Sequence, residues 1–347
     1  MLQKPHDTSR CPETAGRAMD LELSDHAGYL RPCFTFGIIA DVQYMDQDDN
    51  SNYQKTRTRY YRHGLDLLRS AIDEWNKEPV PSFILQLGDI IDGFNAQQLT
   101  SHLSLQTVLG EIEKSKAPFH HVWGNHEFYN FSRDYLKTSK LCTKQLEDET
   151  VPSLRHDGED FYAYHFSPFP KFRFVIIDTY DLSVLGRETA KEKYQYSLKI
   201  LKEKNQNEDL DDSDFPEIQF VQFNGGLSQE QLSWLNKVLT YSDENHEKVV
   251  VASHVPIHPQ ATDSAGYAWN YSAILSILHS HTCVVCCLSG HDHDGGYFLD
   301  SHEIHHIILE GIIETPPGSH AFGTMHVFED RMILNGRGRT FSRVISY

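Results

Sequence analysis

The sequence predicts an α/β fold in which parallel strands are joined by crossover helices. Short apolar runs at 34–40, 83–87 and 119–123 indicate buried strands. The stretches between them carry the apolar period of amphipathic helices. This strand–helix order favours parallel pairing, and such sheets bind ligands at the carboxyl ends of their strands.

The first predicted helix has the most regular pattern in the chain. Its apolar residues recur at spacings of four, three, four and three: Tyr61, Leu65, Leu68, Ile72 and Trp75. Pro79 and Pro81 end it. A second helical stretch covers about 97–115 and precedes the third strand.

The second half of the chain repeats the same kinds of element. Further strands are expected at 172–178, 248–253 and 283–289, and further helices after Ser228 and over 271–280. Ser228 and Gln231 have the spacing of a capping box. Short alternating runs beyond residue 303 favour antiparallel strands. Residues 130–170 receive no assignment.

Residues 186–226 look like an insertion into the α/β pattern. They hold a charged helical stretch and an acidic run from Glu208 to Asp214, which is typical of a solvated loop. We expect a tail at 1–32, without periodicity, followed by a single domain at 33–347 that contains this insertion.

Composition limits the partners of this 347-residue chain. Its formal net charge of -18 repels polyanions, so nucleic acid is a poor partner. Neither a signal peptide nor a membrane-spanning apolar run is evident. Cys283, Cys286 and Cys287 crowd into one apolar stretch, which indicates buried thiols and not a disulfide framework. We therefore expect a cytoplasmic monomer without a membrane partner.

Polar side chains follow five of the predicted strands. The clusters are Asp41 and Gln43, Asp89 and Asp92, Asn125 and His126, His254, and His291 with His293. Hard oxygens mixed with imidazoles suit Mn, Fe or Zn better than Ca or Mg. Two cations roughly 4 Å apart, bridged by a carboxylate, clamp an in-line displacement at phosphorus and lower the pKa of a water held between them.

The ordered set of these motifs resembles the calcineurin-like metallophosphoesterase family from about residue 34 to 330. The motifs are Asp41-x-Gln43, Gly88-Asp-x-x-Asp92, Gly124-Asn-His-Glu127, Ser253-His254 and Gly290-His-x-His293. The resemblance implies a four-layer α-β-β-α sandwich with two mixed sheets between helices.

The same resemblance implies a role for each motif residue. The first metal would be held by Asp41 and His293, with Gln43 nearby or coordinating. Asp89 would bridge both metals. The second metal would be held by Asn125, His254 and His291. His126 would be the general acid that protonates the leaving oxygen, and Asp92 would orient it.

One position departs from the family pattern. The family usually has histidine at the second position of its first motif, where this chain has Gln43. A neutral amide oxygen is a weaker ligand, which favours Mn(II) taken from solution, with Mg, Fe or Zn as alternatives. The Asp-x-Gln variant and the late Gly-His-Asp-His-Asp-Gly-Gly run are similar to the manganese-dependent ADP-ribose/CDP-alcohol diphosphatase branch.

That branch implies hydrolysis of a small nucleotide substrate, a nucleoside diphosphate derivative, to a nucleoside monophosphate and a second phosphate ester. Two alternatives stay open: a phosphomonoesterase or cyclic-nucleotide phosphodiesterase using the same site, and a metal-binding scaffold without activity. His258 is expected to be a loop residue and no ligand, because prolines flank it. Candidates for stacking on the base are Tyr53, Phe128, Tyr129, Trp269 and Tyr271.

Overall fold

Two six-stranded sheets form the centre of the computed structural model, which describes residues 31–52, 55–156, 161–214, 216–262 and 264–347. Residues Pro32–Tyr347 form one compact unit. The expected N-terminal tail lies almost wholly outside the described residues. The strands are β1 (Phe34–Ile39), β2 (Asn50–Ser51), β3 (Thr58–Arg59), β4 (Phe83–Gln86), β5 (Phe119–His121), β6 (Tyr164–Phe169), β7 (Phe172–Ile176), β8 (Lys248–Ala252), β9 (Val284–Ser289), β10 (Gly296–Leu299), β11 (His305–Ile308), β12 (Ala321–Val327), β13 (Arg331–Gly338) and β14 (Arg343–Ser346). The helices are α1 (Tyr61–Trp75), α2 (Phe94–Gln97), α3 (Ser101–Ile112), α4 (Asn125–Asn130), α5 (Arg133–Thr138), α6 (Glu192–Lys204), α7 (Gln229–Glu244) and α8 (Tyr271–Leu278).

Both sheets contain a parallel part and an antiparallel part. The first sheet has the order β14-β13-β12-β1-β4-β5, in which β1, β4 and β5 run parallel and β12 to β14 form an antiparallel meander. The second sheet has the order β10-β11-β9-β8-β7-β6, with antiparallel strands only at its two edges. Helices connect the parallel neighbours β1 and β4, β4 and β5, β7 and β8, and β8 and β9, as the strand–helix alternation predicts, whereas β9 and β11 are connected through β10.

Aromatic side chains hold the two sheets face to face. The ring centroid of Phe174 on β7 lies 5.1 Å from that of Phe36 on β1 and 5.0 Å from that of Phe83 on β4. The Phe83 ring also meets Phe166 on β6 edge-on at 5.1 Å. Such pairs add about 0.5–1.5 kcal/mol each beyond the area that they bury.

Helices cover the outer faces of both sheets. Trp75 of α1 packs edge-on against Phe322 of β12, with ring centroids 5.4 Å apart. On the second sheet, Leu239 of α7 accepts a hydrogen bond from the Cys283 thiol at 3.5 Å, just before β9. The four-layer α-β-β-α sandwich with two mixed sheets is therefore confirmed.

Two of the helix predictions need correction. The stretch 97–115 is divided into α2 and α3, because the exposed Leu99 takes a left-handed conformation (φ 58°) that interrupts the helical path. The capping box at Ser228 forms only in part: the Ser228 hydroxyl accepts the Gln231 N–H at 3.2 Å. The Gln231 side chain turns instead to the backbone of Asp178.

The unassigned stretch 130–170 holds α5, the end of α4 and the edge strand β6. Six-residue helices are too short to display an apolar period, so no helical pattern could be recognised in this stretch. In the C-terminal part, β11 pairs antiparallel with β10 but parallel with β9, so the expectation of antiparallel strands holds without exception only from β12 onward. None of the helices in the described ranges has the length and apolarity that crossing a bilayer requires.

Candidate metal centre

The polar clusters at the strand ends meet at one edge of the sandwich. Backbone bonds join neighbouring ends: the Asp41 N–H donates to the Gly88 carbonyl at 3.1 Å, and the Gly290 N–H donates to the His254 carbonyl at 3.1 Å. The first sheet contributes side chains that carry oxygen, namely Asp41, Gln43, Asp89 and Asn125. The second sheet contributes imidazoles, namely His254, His291 and His293.

Four of these residues have a left-handed backbone although none is glycine. Their φ angles are 53° for Asp41, 42° for Gln43, 58° for Asp89 and 71° for His291. Such conformations cost on the order of 1–3 kcal/mol each and concentrate at functional sites. Here they turn the side chains back over the strand ends. The amino-acid sequence carries no signal for this strain.

Asp89 lies at the centre of the first group of candidate ligands. Ligand atoms of Asp89, His254 and His291 all lie within 4.8 Å of one another. The His254 Nε2 atom is 3.4 Å from Asp89 Oδ2 and 3.1 Å from Asn125 Oδ1. Its Nδ1 atom is 2.7 Å from the Leu87 carbonyl, which fixes the ring. The structure thus brings together the four residues expected to form or share the second metal site.

The other expected ligands, Asp41, Gln43 and His293, form a second group that contacts Asp89 through Gln43. The Gln43 amide nitrogen donates to Asp89 Oδ2 at 3.2 Å and lies 2.9 Å from His293 Nε2. His293 Nε2 is also 3.5 Å from Asp41 Oδ1. The Gln43 amide oxygen is buried and has no hydrogen-bond partner among the described residues. A buried, unpartnered amide oxygen on a side chain that contacts both Asp89 and His293 fits a bound cation.

The electrostatics of the cluster also fit a cation. Burial favours a raised pKa at Asp89, but the imidazoles of His254 and His126 outweigh it and hold that pKa well below its usual range. Burial lowers the pKa of His254, yet the Asp89 carboxylate raises it to about 9. Burial likewise opposes protonation of His293, while Asp41 and Glu314 raise its pKa to about 10. The carboxylates therefore attract positive charge to this edge of the sandwich.

His126 stands beside the cluster with a defined tautomer. The Gly93 N–H donates to His126 Nδ1 at 2.7 Å, so that nitrogen carries no proton and the neutral ring is protonated at Nε2. Nε2 faces Asp89 Oδ2 at 3.8 Å. The Asp92 carboxylate is 3.6 Å from Nδ1, too far for a hydrogen bond, and its Oδ1 atom accepts the Phe94 N–H at 2.8 Å. In this geometry Asp92 acts on His126 through charge.

Several residues that support the cluster escaped the sequence analysis. Glu127 accepts three backbone N–H groups, from Asp89, Ile90 and Gly124, at 2.6–2.8 Å. Burial and the nearby Asp89 nevertheless raise the pKa of Glu127 to about 7. Glu127 could have been recognised from the sequence, because it is the last residue of the Gly124-Asn-His-Glu127 motif.

The expected insertion at 186–226 reaches the cluster with its last residues. Asn224 Oδ1 lies 2.9 Å from His291 Nε2. The Phe223 carbonyl accepts the Tyr180 hydroxyl, which also donates to Asn125 Oδ1 at 3.1 Å. These contacts join residues that are far apart in the chain, so no local sequence pattern predicts them.

Two arginines from the β2–β3 hairpin stand at the rim of the cluster. The Arg59 guanidinium is 3.4 Å from Asp92 Oδ2 and 3.8 Å from Glu314 Oε1. Arg57 pairs with Asp294 at 2.5 Å. Glu314 in turn contacts His293 Nδ1 at 3.0 Å. The rim therefore carries cationic side chains in a strongly acidic protein.

The remaining candidates divide between core and surface. His258 is buried off the cluster, where it stacks on Phe298 with ring centroids 4.5 Å apart. Among the stacking candidates, Tyr129 is 38% exposed and its ring meets that of His126 edge-on at 5.2 Å. Phe128 and Trp269 are buried. Tyr53 lies outside the described residues.

Comparison with known proteins yields one family and several close relatives. A family model described as calcineurin-like phosphoesterase matches residues 34–295. A manganese-dependent ADP-ribose/CDP-alcohol diphosphatase from Mus musculus is 56% identical over 332 residues, which is 93% of this chain and 96% of the relative. The protein of that name from Homo sapiens is 56% identical over 333 residues, 94% of this chain and 95% of its own.

Among solved structures, a dimetal phosphatase from Danio rerio superposes with a TM-score of 0.86. It is 51% identical in sequence and covers 91% of this chain and 99% of its own. The shared architecture thus extends over nearly all of both chains.

Proposed function

This chain belongs to the calcineurin-like phosphoesterase family, and we propose that it is a manganese-dependent diphosphatase acting on ADP-ribose, CDP-choline and similar CDP-alcohols. It cleaves their pyrophosphate bond to a nucleoside monophosphate and a phosphate ester. The observation that carries this substrate class is the identity to relatives of that name along nearly the full length of both chains. The carboxylate–imidazole cluster supplies the chemistry that such a reaction needs.

We propose that the cluster holds two divalent ions and that Mn(II) is the working metal. Asp41, Gln43 and His293 hold one ion, Asn125, His254 and His291 hold the other, and Asp89 is shared. The unpartnered oxygen of Gln43 and the 4.8 Å grouping around Asp89 support this division. When bound, such ions polarise phosphoryl oxygens and lower the pKa of water.

The role of His126 follows from its proton. Since Nδ1 accepts the Gly93 N–H, the proton available for transfer is the one on Nε2, which faces the cluster. To act as an acid, the ring must also carry a proton on Nδ1: the imidazolium then gives its Nε2 proton to a leaving phosphate oxygen and returns to the neutral form. In the imidazolium Nδ1 no longer accepts the Gly93 N–H, and Asp92 Oδ2, 3.6 Å from Nδ1, stabilises the positive charge on the ring.

Charge explains how an acidic protein accepts an anionic substrate. The net charge of -18 repels a pyrophosphate at long range. At short range, metal ions held by the cluster would supply the positive charge that a pyrophosphate needs, and Arg57 and Arg59, which pair with Asp294 and Asp92, place guanidinium groups at the rim. Tyr129, exposed beside His126, offers an aromatic surface next to the reacting groups.

The surroundings of the enzyme are also part of the proposal. We propose a cytoplasmic monomer, because the five cysteines within the described ranges form no disulfide, as expected in a reducing compartment. Cys286 and Cys287 lie buried in β9. Gel filtration with light scattering tests the oligomeric state, and a mass of twice the chain would contradict it.

A hydrolysis panel tests the reaction. ADP-ribose, CDP-choline, cyclic AMP and p-nitrophenyl phosphate are each incubated with Mn(II), Mg(II) or chelator, and the products are separated by chromatography. Cleavage of the first two to nucleoside monophosphates, dependent on Mn(II), is the expected result. Activity confined to cyclic AMP and p-nitrophenyl phosphate would be consistent with the proposed metal centre but would contradict the proposed substrate class. Inactivity with every metal would favour a scaffold.

Metal content tests the ligand assignment separately from the substrate. Asp89→Asn should lower the Mn(II) content of the purified chain, measured by mass spectrometry of the metal. Asp292→Asn is a matched control: Asp292 lies between His291 and His293, but its carboxylate bonds the hydroxyls of Thr262 and Ser264. Equal metal loss in both variants would contradict the assignment.

A further inference from the structure

A second group of metal-ligating side chains lies at the other end of the second sheet. It consists of His279, which follows α8, and of Asp300 and His302 in the turn between β10 and β11. Their ligand atoms all lie within 4.8 Å of one another. His306 of this region pairs with Cys287 of β9, four residues before His291, or about 13 Å of extended strand. The group is therefore separate from the candidate metal centre.

The Asp300 carboxylate is held in one orientation by the surrounding backbone. Its Oδ1 atom accepts the N–H groups of His302 at 2.8 Å and Ile304 at 3.0 Å. Its Oδ2 atom faces His306 Nε2 at 3.0 Å and His279 Nε2 at 2.9 Å. The carboxylate is thus fixed by four contacts.

The histidines differ in what they can offer. His306 is buried on β11, and its Nε2 atom lies 3.0 Å from Asp300 Oδ2. His279 is half-buried, and His302 is exposed. The rings of His279 and His302 stack in parallel, with centroids 3.7 Å apart and planes 9° apart. His306 therefore supports the carboxylate, whereas His279 and His302 lie nearer the surface, where a metal ion can reach them.

We propose that His279, Asp300 and His302 bind a Zn(II) ion, with His306 orienting the carboxylate from behind. Two imidazoles and a carboxylate suit zinc, and a water completes the four-coordinate site. Tetrahedral bonds of about 2.0–2.1 Å place ligand atoms about 3.3 Å apart, close to the 2.9 Å between His279 Nε2 and Asp300 Oδ2. A carboxylate or imidazole held by a further residue is typical of metal sites.

The bound ion changes the position of one ring only. Because the nitrogen lone pairs of the two stacked rings lie in separate, nearly parallel planes, His302 must leave the stack to share an ion with His279. His302 is exposed in a turn, so this rotation meets little resistance. The ion then links the end of α8 to the β10–β11 turn, and it does so independently of the diphosphatase reaction.

Zinc stoichiometry of the full-length chain tests the site. The chain is stripped with chelator, loaded with excess Zn(II), desalted and analysed for bound zinc. We expect one zinc fewer per chain in His279→Ala and in His302→Ala than in the wild type. His281→Ala is the matched control, since His281 lies two residues from His279 but contacts Asp243. Unchanged zinc content in both cluster variants would overturn the proposal.

A Co(II) spectrum and an activity assay separate this site from the other one. Co(II) in a four-coordinate site absorbs strongly in the visible range, and this band should be lost in His302→Ala. Because His302 is exposed, its replacement leaves the fold intact. Mn(II)-dependent hydrolysis should remain at the wild-type rate in this variant. A band that persists in His302→Ala and disappears in Asp89→Asn would assign it to the candidate metal centre and refute the zinc site.

Discussion

Acid stability is expected to depend on His120, a histidine buried between the two sheets. Its ring stacks on Phe166 with centroids 3.7 Å apart, and its Nδ1 atom lies 3.1 Å from the Tyr164 hydroxyl. Burial, with a smaller contribution from His121, lowers the pKa of His120 to about 3. The folded chain therefore keeps this ring neutral far below the pH at which an exposed histidine becomes charged.

The size of the effect follows from the two pKa values. In the unfolded chain the pKa of the ring is near 6.5, so below that pH the unfolded state binds a proton that the folded state does not bind. The stabilising contribution is thus complete above about pH 6.5 and declines by about 1.4 kcal/mol per pH unit below it. Between pH 7 and pH 5 the loss is about 2 kcal/mol from His120 alone.

Urea unfolding of wild type and His120→Phe at pH 7 and pH 5, in chelator, measures this loss. Phenylalanine keeps the stacking and does not titrate, while the Tyr164 hydroxyl retains its bond to Thr143 at 2.9 Å. The wild type should lose about 2 kcal/mol more than the variant between the two pH values. The exposed His102, replaced by Gln, should behave as wild type. An equal loss of unfolding free energy in wild type and in His120→Phe would contradict the prediction that His120 is neutral in the folded chain.

Three further outcomes are expected. His126→Ala should lower turnover about 10²–10⁴-fold, because the leaving oxygen loses its proton donor, with metal content equal to wild type; unchanged turnover would exclude His126 as the acid. Arg133→Met should lower the free energy of unfolding by about 3–5 kcal/mol, because Asp178, bonded to Arg133 at 2.6 Å, stays buried without its cation. Urea unfolding checks this, and adding Asp178→Asn should restore part of the loss. Chelation should abolish nucleotide binding together with turnover, measured by calorimetry; tight binding that survives in chelator would show that the arginines suffice.

The parts of the fold that repeat a regular pattern could be predicted from the sequence. The α1 face and the strands from β1 to β9 that flank crossover helices carry long or strongly apolar runs, and their order implies parallel pairing. Shorter elements could not be found, because β6 and the six-residue helix α5 offer no period. The break between α2 and α3 at Leu99 depends on the left-handed backbone of a single residue, which local composition does not predict.

The candidate site divides in a similar way. Residues that directly follow a strand, such as Asp89 and His254, could be found because parallel strands bring their ends together. Asn224 and Glu314 could not, since they reach the cluster through loops whose path depends on the whole fold. The individual metal-binding and acid roles stay predictions, as does the domain boundary at residue 33.

The division of the centre between the two sheets has a consequence for folding. The oxygen-bearing side chains follow strands of the first sheet and the imidazoles follow strands of the second, so neither sheet holds a complete set of ligands. With the proposed ligands, high metal affinity would arise only after the aromatic layer between the sheets has closed. Metal binding would then be a late event in folding and would require assembly of the entire sandwich.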